Sequence, residues 1–157
     1  IIPAVFSACC GGWTANNDTV WFGPPDAALR SRADAPQQSR PADLAASLRA
    51  SSSAYCARDA KNFRWTRTYS ATELTAFLNK DHAIGSVRGI ELGERGPGGR
   101  LKSVTVTGSR GSVTIRKELP IRRAFGGLPS ALFIMRRAGD ASYTFVGGGR
   151  GHGVGMC

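Results

Sequence analysis

The densest chemical signal in the chain is its last eleven residues, Gly147-Gly148-Gly149-Arg150-Gly151-His152-Gly153-Val154-Gly155-Met156-Cys157. Six of the nine residues from 147 to 155 are glycine, so the backbone there can approach a neighbour closely or take positive φ angles. A loop of this composition can also cradle an anion with its amides. His152 stands between two glycines, with Arg150 two positions earlier, so no bulky sequence neighbour shields the imidazole. Two readings of His152 follow: a ring that meets a ligand, or one satisfied locally within a turn. The run is not the dinucleotide-binding fingerprint. The glycine required three residues after each Gly-x-Gly pair falls on His152, Val154 or Met156. It is not a phosphate-binding P-loop either, because no Gly-Lys-Ser/Thr follows.

Cysteine is the second source of chemistry. Cys9, Cys10, Cys56 and Cys157 are too few and too irregularly spaced for a disulfide framework, and no Cys-x-x-Cys pair occurs. One bridge, Cys10 to Cys56, is a candidate, with buried free thiols as the alternative. A bridge would place the chain outside a reducing cytosol. Cys9 and Cys10 point to opposite faces if they lie on a strand. Cys9 and Cys157 read as small core residues rather than ligands.

The elements that must position these groups are legible in part. Residues 1–8 read as a short strand, broken by Gly11-Gly12. Residues 23–54 are rich in Pro, Ala and Ser and carry no aromatic, which reads as a solvent-facing insertion; 42–50 within it can form a helical turn or two. Tyr55-Cys56 is expected to re-enter the core, and Phe63-Arg64-Trp65 to continue as extended chain. Ser70 with Glu73 is a capping box, and Leu74, Phe77 and Leu78 follow at helical spacing, which predicts a helix over 71–79. From Val87 the pattern has period two. Turns at 96–99 and 109–111 divide it into an antiparallel meander. A short helix is expected over 119–125, a strand over 131–136, a turn over 138–140 and a last strand over 142–146. The fold class is therefore α+β, mostly antiparallel sheet with one or two packed short helices, in a single domain spanning 1–157.

Charge narrows the partners. Lys plus Arg is 21 against 11 acids, a net charge of +10, so a polyanion is the natural partner. No block of five like charges exists, and the RNA-binding aromatic-basic motif, the KH loop and zinc-finger spacing are missing, which makes nucleic acid the weaker candidate. No apolar run reaches the ~18 residues needed for a membrane-spanning helix.

Taken together, Gly149-Arg150-Gly151-His152-Gly153-Val154-Gly155-Met156-Cys157 resembles the signature of the stage II sporulation protein D family, which includes the amidase-enhancer proteins. Phe6-Ser7-Ala8-Cys9-Cys10-Gly11-Gly12-Trp13-Thr14 is similar to that family's aromatic-small-small-Cys-Gly-Gly segment, with Trp21 beyond it. Tyr55-Cys56, Phe63-Arg64-Trp65, Arg122-Arg123 and Leu132-Phe133 follow in the family's order. The resemblance implies an extracytoplasmic protein acting on peptidoglycan: a lytic transglycosylase in which one glutamate protonates the bridging oxygen while the sugar's own hydroxyl closes an anhydro ring. The family's glutamate lies in a helical region upstream of the Cys-Gly-Gly segment, and this chain begins nine residues before Cys10, so no catalytic residue is assigned here. Glu73 reads as a cap; Glu91, Glu94 and Glu118 receive no catalytic role. The family continues past the position of Cys157, which reads the chain as a fragment whose remainder is itself a candidate partner.

The substrate-binding candidates are His152, as donor or orienter; Arg150, holding a carboxylate or locking the loop; Gly151 and Gly153; and Ser7, where a histidine often stands in the family. Some members bind zinc near this segment. Here Cys10 has only scattered partners in sequence, so a closed zinc site is not expected and no metal or cofactor is assigned. Trp13, Trp21 and Trp65 can stack on sugar rings, although core packing is the better reading for two of them. Arg122 and Arg123 read as a solvated helix face. The leading function is a peptidoglycan lytic transglycosylase domain. The alternatives are a non-catalytic wall-binding or amidase-activating module and a basic nucleic-acid-binding domain. The expected partners are glycan strands and a cell-wall amidase.

Overall fold

A computed structural model describes residues 4–36, 43–139 and 142–157. The outer ends of several expected elements (residues 1–3, 37–42 and 140) lie outside the described residues. The chain forms two three-stranded antiparallel sheets with short helices between them, an α+β architecture.

The first sheet is built from β1 (Arg64–Ser70), β5 (Phe133–Ala138) and β6 (Ser142–Gly148), in the order β1-β6-β5. Its central strand β6 alternates strictly, with Tyr143 and Phe145 buried and Ser142 and Thr144 turned outward. The second sheet is the meander β2 (Val87–Leu92), β3 (Ser103–Gly108) and β4 (Gly111–Arg116). Val104 and Val106 of β3 are fully buried, which is why the middle strand of the meander carries the core face.

Helix α1 (Asn17–Val20) and helix α2 (Leu44–Ser47) are single turns, and α3 (Ala60–Phe63) leads directly into β1. Asp43 caps α2 by accepting the amides of Ala45 and Ala46. Helix α4 (Ala71–Leu78) begins as its sequence dictates: Ser70 Oγ accepts the Glu73 amide at 3.1 Å, and the Glu73 carboxylate accepts the Ser70 amide at 2.8 Å. Leu74 and Leu78, one turn apart, are its buried stripe. Helix α5 (Glu118–Ala124) buries Ile121 and Ala124.

One apolar core joins the two sheets. It holds Trp65, Leu74, Leu78, Val104, Val106, Ile121 and the aromatic trio Phe125, Phe133 and Phe145, whose ring centroids lie 5.3–6.4 Å apart.

Four local expectations change. Phe63, expected in extended chain with Arg64 and Trp65, is the last residue of helix α3, and the strand begins at Arg64. The described residues 4–9 form no strand; they make isolated bridges, Phe6 with Met156 and Cys9 with Arg150, because their partners belong to a glycine-rich loop and not to a straight edge. Tyr55 does not re-enter the core. It is exposed on a 3-10 turn (Tyr55–Arg58), while Cys56 and Ala57 of that turn pack inward against Cys9, Ala54 and Phe63. Within 23–54, residues 23–25 are exposed, while Ala35, Leu48 and Ala54 are buried, so this stretch is anchored to the body at several points. Among the described residues, no helix is long and apolar enough to cross a membrane.

Candidate functional site

The glycine-rich terminus leaves β6 and wraps around the start of the chain. Gly149, Gly151, Gly153 and Gly155 have φ of 77°, 82°, 74° and 78°. Every second residue therefore occupies the left-handed region, where a side chain is strained. That alternation turns the loop around one post, Ser7. The Ser7 amide donates to the Met156 carbonyl at 2.8 Å, its hydroxyl accepts the Gly153 amide at 2.8 Å, and the same hydroxyl lies 3.4 Å from the Arg150 carbonyl. Two residues on, Cys9 and Arg150 exchange backbone bonds at 3.1 and 2.8 Å.

The His152 loop and the Ser7 segment thus lie side by side. Ser7 is buried with its hydroxyl committed to the loop. The loop amides are committed too. Those of Gly149, Arg150, Gly151, Gly153, Val154 and Met156 donate to Phe63, Cys9, Pro129, Ser7, His152 and Val5. An anion cradle of the kind the composition allowed is therefore not what these six amides form.

His152 is half-buried. Its Nδ1 accepts the Val154 amide at 3.1 Å. Burial, with the field of Arg100, holds the imidazole below its ordinary range, and a hydrogen bond to the Phe6 backbone works the other way. The ring is neutral at pH 7 and lies 4.9 Å from the Trp21 ring, tilted by 51°. Trp21 is 38% exposed and Phe22 beside it 80%. Trp65 belongs to the core, its indole N–H donating to the Gly149 carbonyl at 3.0 Å, and Trp13 is half-buried. Arg150 projects from the loop into solvent. Arg122 is pinned rather than solvated, by the Leu128 carbonyl at 2.7 Å and the Glu118 carboxylate at 3.4 Å, while Arg123 is exposed.

An open pocket of 440 Å³ lies against both chain segments, lined by Phe6, Arg30, Arg32, Asp34, Met156 and Cys157 among others. His152 and Trp21 stand outside this lining.

At the edge of that pocket the structure gathers what the sequence scattered. Cys10, Asp34, Cys56 and Cys157 each offer a ligand atom, and these atoms all lie within 4.8 Å of one another. The Cys10 and Cys56 sulfurs are 3.6 Å apart, a thiol hydrogen bond and not a disulfide. The Cys10 amide donates to Cys157 Sγ at 3.0 Å, and the Gly12 amide to Cys10 Sγ at 3.4 Å. Asp34 accepts the Cys56 amide at 2.7 Å. Thiol donors around Cys157 Sγ hold that thiol far below its usual range, with Cys10 the largest contributor. The Cys10 hydrogen bond likewise brings Cys56 down to about 6, and Cys10 itself is held up. Cys157 is exposed and part of this cluster, not a small core residue.

Sequence reasoning missed Arg100 altogether. It follows a glycine turn, a position that reads as surface, yet it is fully buried. One guanidinium nitrogen donates to the Cys10 carbonyl at 3.1 Å, while Nε and the second terminal nitrogen have no hydrogen-bond partner. Gly153 lies on this guanidinium so closely that a Cβ there would sit 2.2 Å from Arg100 Cζ.

Residues 15–155 match the family described as domain of unknown function DUF8618. The chain belongs to that family. No curated protein and no solved structure matches it. The matched span of the DUF8618 domain takes in Asp34, Cys56, Arg150 and His152, while Ser7, Cys10 and Cys157 flank it.

Proposed function

We propose that this DUF8618 chain is the glycan-engaging part of a peptidoglycan lytic transglycosylase working outside the cytoplasm. The observation that carries the reading is the contact between Ser7 and Gly153 at 2.8 Å, which joins the two segments on which the resemblance to the stage II sporulation protein D family rests. Around that joint lie features suited to a sugar polymer. Trp21, steadied by His152, offers an exposed ring face to pyranose C–H groups. The adjoining pocket carries Arg32, beside Arg30, whose guanidinium is engaged by Asp18, Asn17 and the Asp26 carbonyl. A glycan stripped of its stem peptides exposes a lactyl carboxylate on alternate sugars, which a guanidinium grips with two parallel hydrogen bonds. His152, its Nδ1 engaged with the protein backbone, acts as orienter of Trp21. The proton donor that cleaves belongs to the helical region that the resemblance places ahead of Cys10-Gly11-Gly12.

The test is incubation with denuded glycan strands, followed by sedimentation and analysis of the sugar ends. Retention that falls at least about tenfold in Trp21→Ala and in Arg32→Ala supports the reading, each loss being worth about 1.4 kcal/mol. Anhydro-sugar ends, produced by the chain alone or joined to its upstream region, establish cleavage. Retention without such ends from either makes it a wall-binding or amidase-activating module. No retention and no cleavage overturns the reading.

A further inference from the structure

We propose that Cys10, Cys56, Cys157 and Asp34 bind one zinc ion, which ties the two ends of the domain and the 3-10 turn together. This does not depend on the glycan reading. Four ligand atoms from four separate stretches of chain converge within 4.8 Å. A tetrahedron with zinc–sulfur bonds of about 2.3 Å has sulfur–sulfur edges of about 3.8 Å. The Cys10–Cys56 separation of 3.6 Å is close to such an edge and far from the ~2.05 Å of a disulfide. Three thiolates and a carboxylate form a soft, four-ligand set that suits zinc over magnesium or calcium.

The surroundings are those of bound thiolates. Two backbone amides, those of Cys10 and Gly12, already donate to the sulfurs of Cys157 and Cys10. Asp34 is oriented by the Cys56 amide at 2.7 Å, an outer-shell bond that fixes a carboxylate ligand. Charge balance is the second, independent observation. A dication held by three thiolates and one carboxylate carries two net negative charges. Half-buried Arg64 feels Cys56, Cys9 and Cys10, and buried Arg100 feels Glu118 most strongly and then Cys10, Cys9 and Cys157. Arg100 has no solvent exposure, and two of its guanidinium nitrogens lack hydrogen-bond partners. The buried Glu118 supplies one anionic neighbour to this guanidinium, and a negatively charged centre at the cysteines adds a second.

Cys9 supplies the control. It is fully buried beside the cluster but does not belong to the set of four. Binding releases the thiol protons to solvent, and no oxidant is needed.

The experiment measures metal directly, without glycan. The full chain is purified under reducing conditions from zinc-supplemented medium, and its metal content is determined by elemental analysis. One zinc per chain is the expected result. Exchange with cobalt should give the intense sulfur-to-cobalt charge-transfer bands of a tetrahedral thiolate site. Cys157→Ser should weaken zinc binding by more than the roughly 10–100-fold that loss of an outer-shell partner costs, and Cys9→Ser, which removes a thiol touching Cys157 and Cys56, by no more than that. If the cysteine variants fail to fold, thiol labelling of the wild type decides the matter: zinc should protect three thiols, and a chelator should release them. Zinc-independent labelling of every thiol, or a Cys10–Cys56 disulfide in the reduced preparation with no metal uptake, overturns the proposal. Binding that survives Cys157→Ser but is lost in Cys9→Ser overturns this ligand set.

Discussion

Ser7 Oγ accepts the amide of Gly153 across 146 residues of sequence, at 2.8 Å and out of contact with water. The bond satisfies an amide that has no helix or sheet to serve it. Ser7→Ala leaves that donor buried and unpaired, a loss of about 1–3 kcal/mol. Urea denaturation of the variant should show a lower midpoint at an unchanged slope. Amide exchange at Gly153 should accelerate by more than at Arg150, whose bond to the Cys9 carbonyl is retained. An unchanged midpoint would remove Ser7 as the post of the loop.

The alternating glycines make a sharper, two-sided prediction. At Gly151 an added Cβ would meet nothing nearer than Ser7 Oγ at 3.6 Å, so Gly151→Ala bears only the left-handed backbone penalty, roughly 1–2 kcal/mol. At Gly153 the same backbone penalty is joined by a Cβ placed 2.2 Å from Arg100 Cζ. The guanidinium is buried and bonded to the Cys10 carbonyl, so it has no free direction in which to yield. Gly153→Ala should therefore destabilise clearly more than Gly151→Ala in thermal unfolding. Equal losses would mean that the loop and Arg100 do not press on one another.

These contrasts mark the division between what the chain announces locally and what it does not. The capping box at Ser70, the leucine stripe of α4 and the period-two meander from Val87 involve residues within a few positions of one another, so the pattern alone predicts them. The terminal motif was legible as a place of close backbone approach, and Gly11 indeed sits with its would-be Cβ 2.9 Å from the Gly149 amide nitrogen. The thiol cluster was not legible. Its members at 10, 34, 56 and 157 share no spacing, and only the wrapping of both chain ends around Ser7 unites them. Arg100 was hidden for the opposite reason. Its local sequence, a glycine turn in a charged hairpin, signals solvent, and only tertiary contacts override it.

Helix α4 tests the local side of that division. Ser70 Oγ accepts the Glu73 amide at 3.1 Å, and without it one of the orphan donors of the first turn returns to water. Ser70→Ala should cost about 1 kcal/mol, and Ser70→Asp should recover most of the loss. Because Leu74 and Leu78 of the same helix are fully buried, the loss should appear in global unfolding and not merely as fraying. Chemical denaturation of the two variants checks it. A Ser70→Ala protein as stable as the parent would show that packing alone holds α4.

Acid should act on this protein through two groups of opposite sign, the half-buried His152 and the buried Glu118. His152 has its folded value depressed below 6.5 by burial, so the unfolded chain binds the proton more readily. Its contribution to stability is present above 6.5 and is lost as pH falls from 6.5 toward the folded value. Glu118 has its folded value raised above 4.5 by burial, with Arg122 and Arg100 opposing. There the folded chain binds the proton more readily, so between 4.5 and the raised value stability grows as pH falls. The first window runs downward from 6.5 and the second upward from 4.5, with opposite slopes. His152→Gln should strip out the acid-labile part, leaving a profile that rises on acidification. Glu118→Gln should strip out the rising part and expose a steeper acid loss. Thermal melts of the three proteins across this range separate the groups. Parallel profiles for His152→Gln and the parent would mean that the imidazole meets the same environment folded as unfolded, and would overturn the prediction.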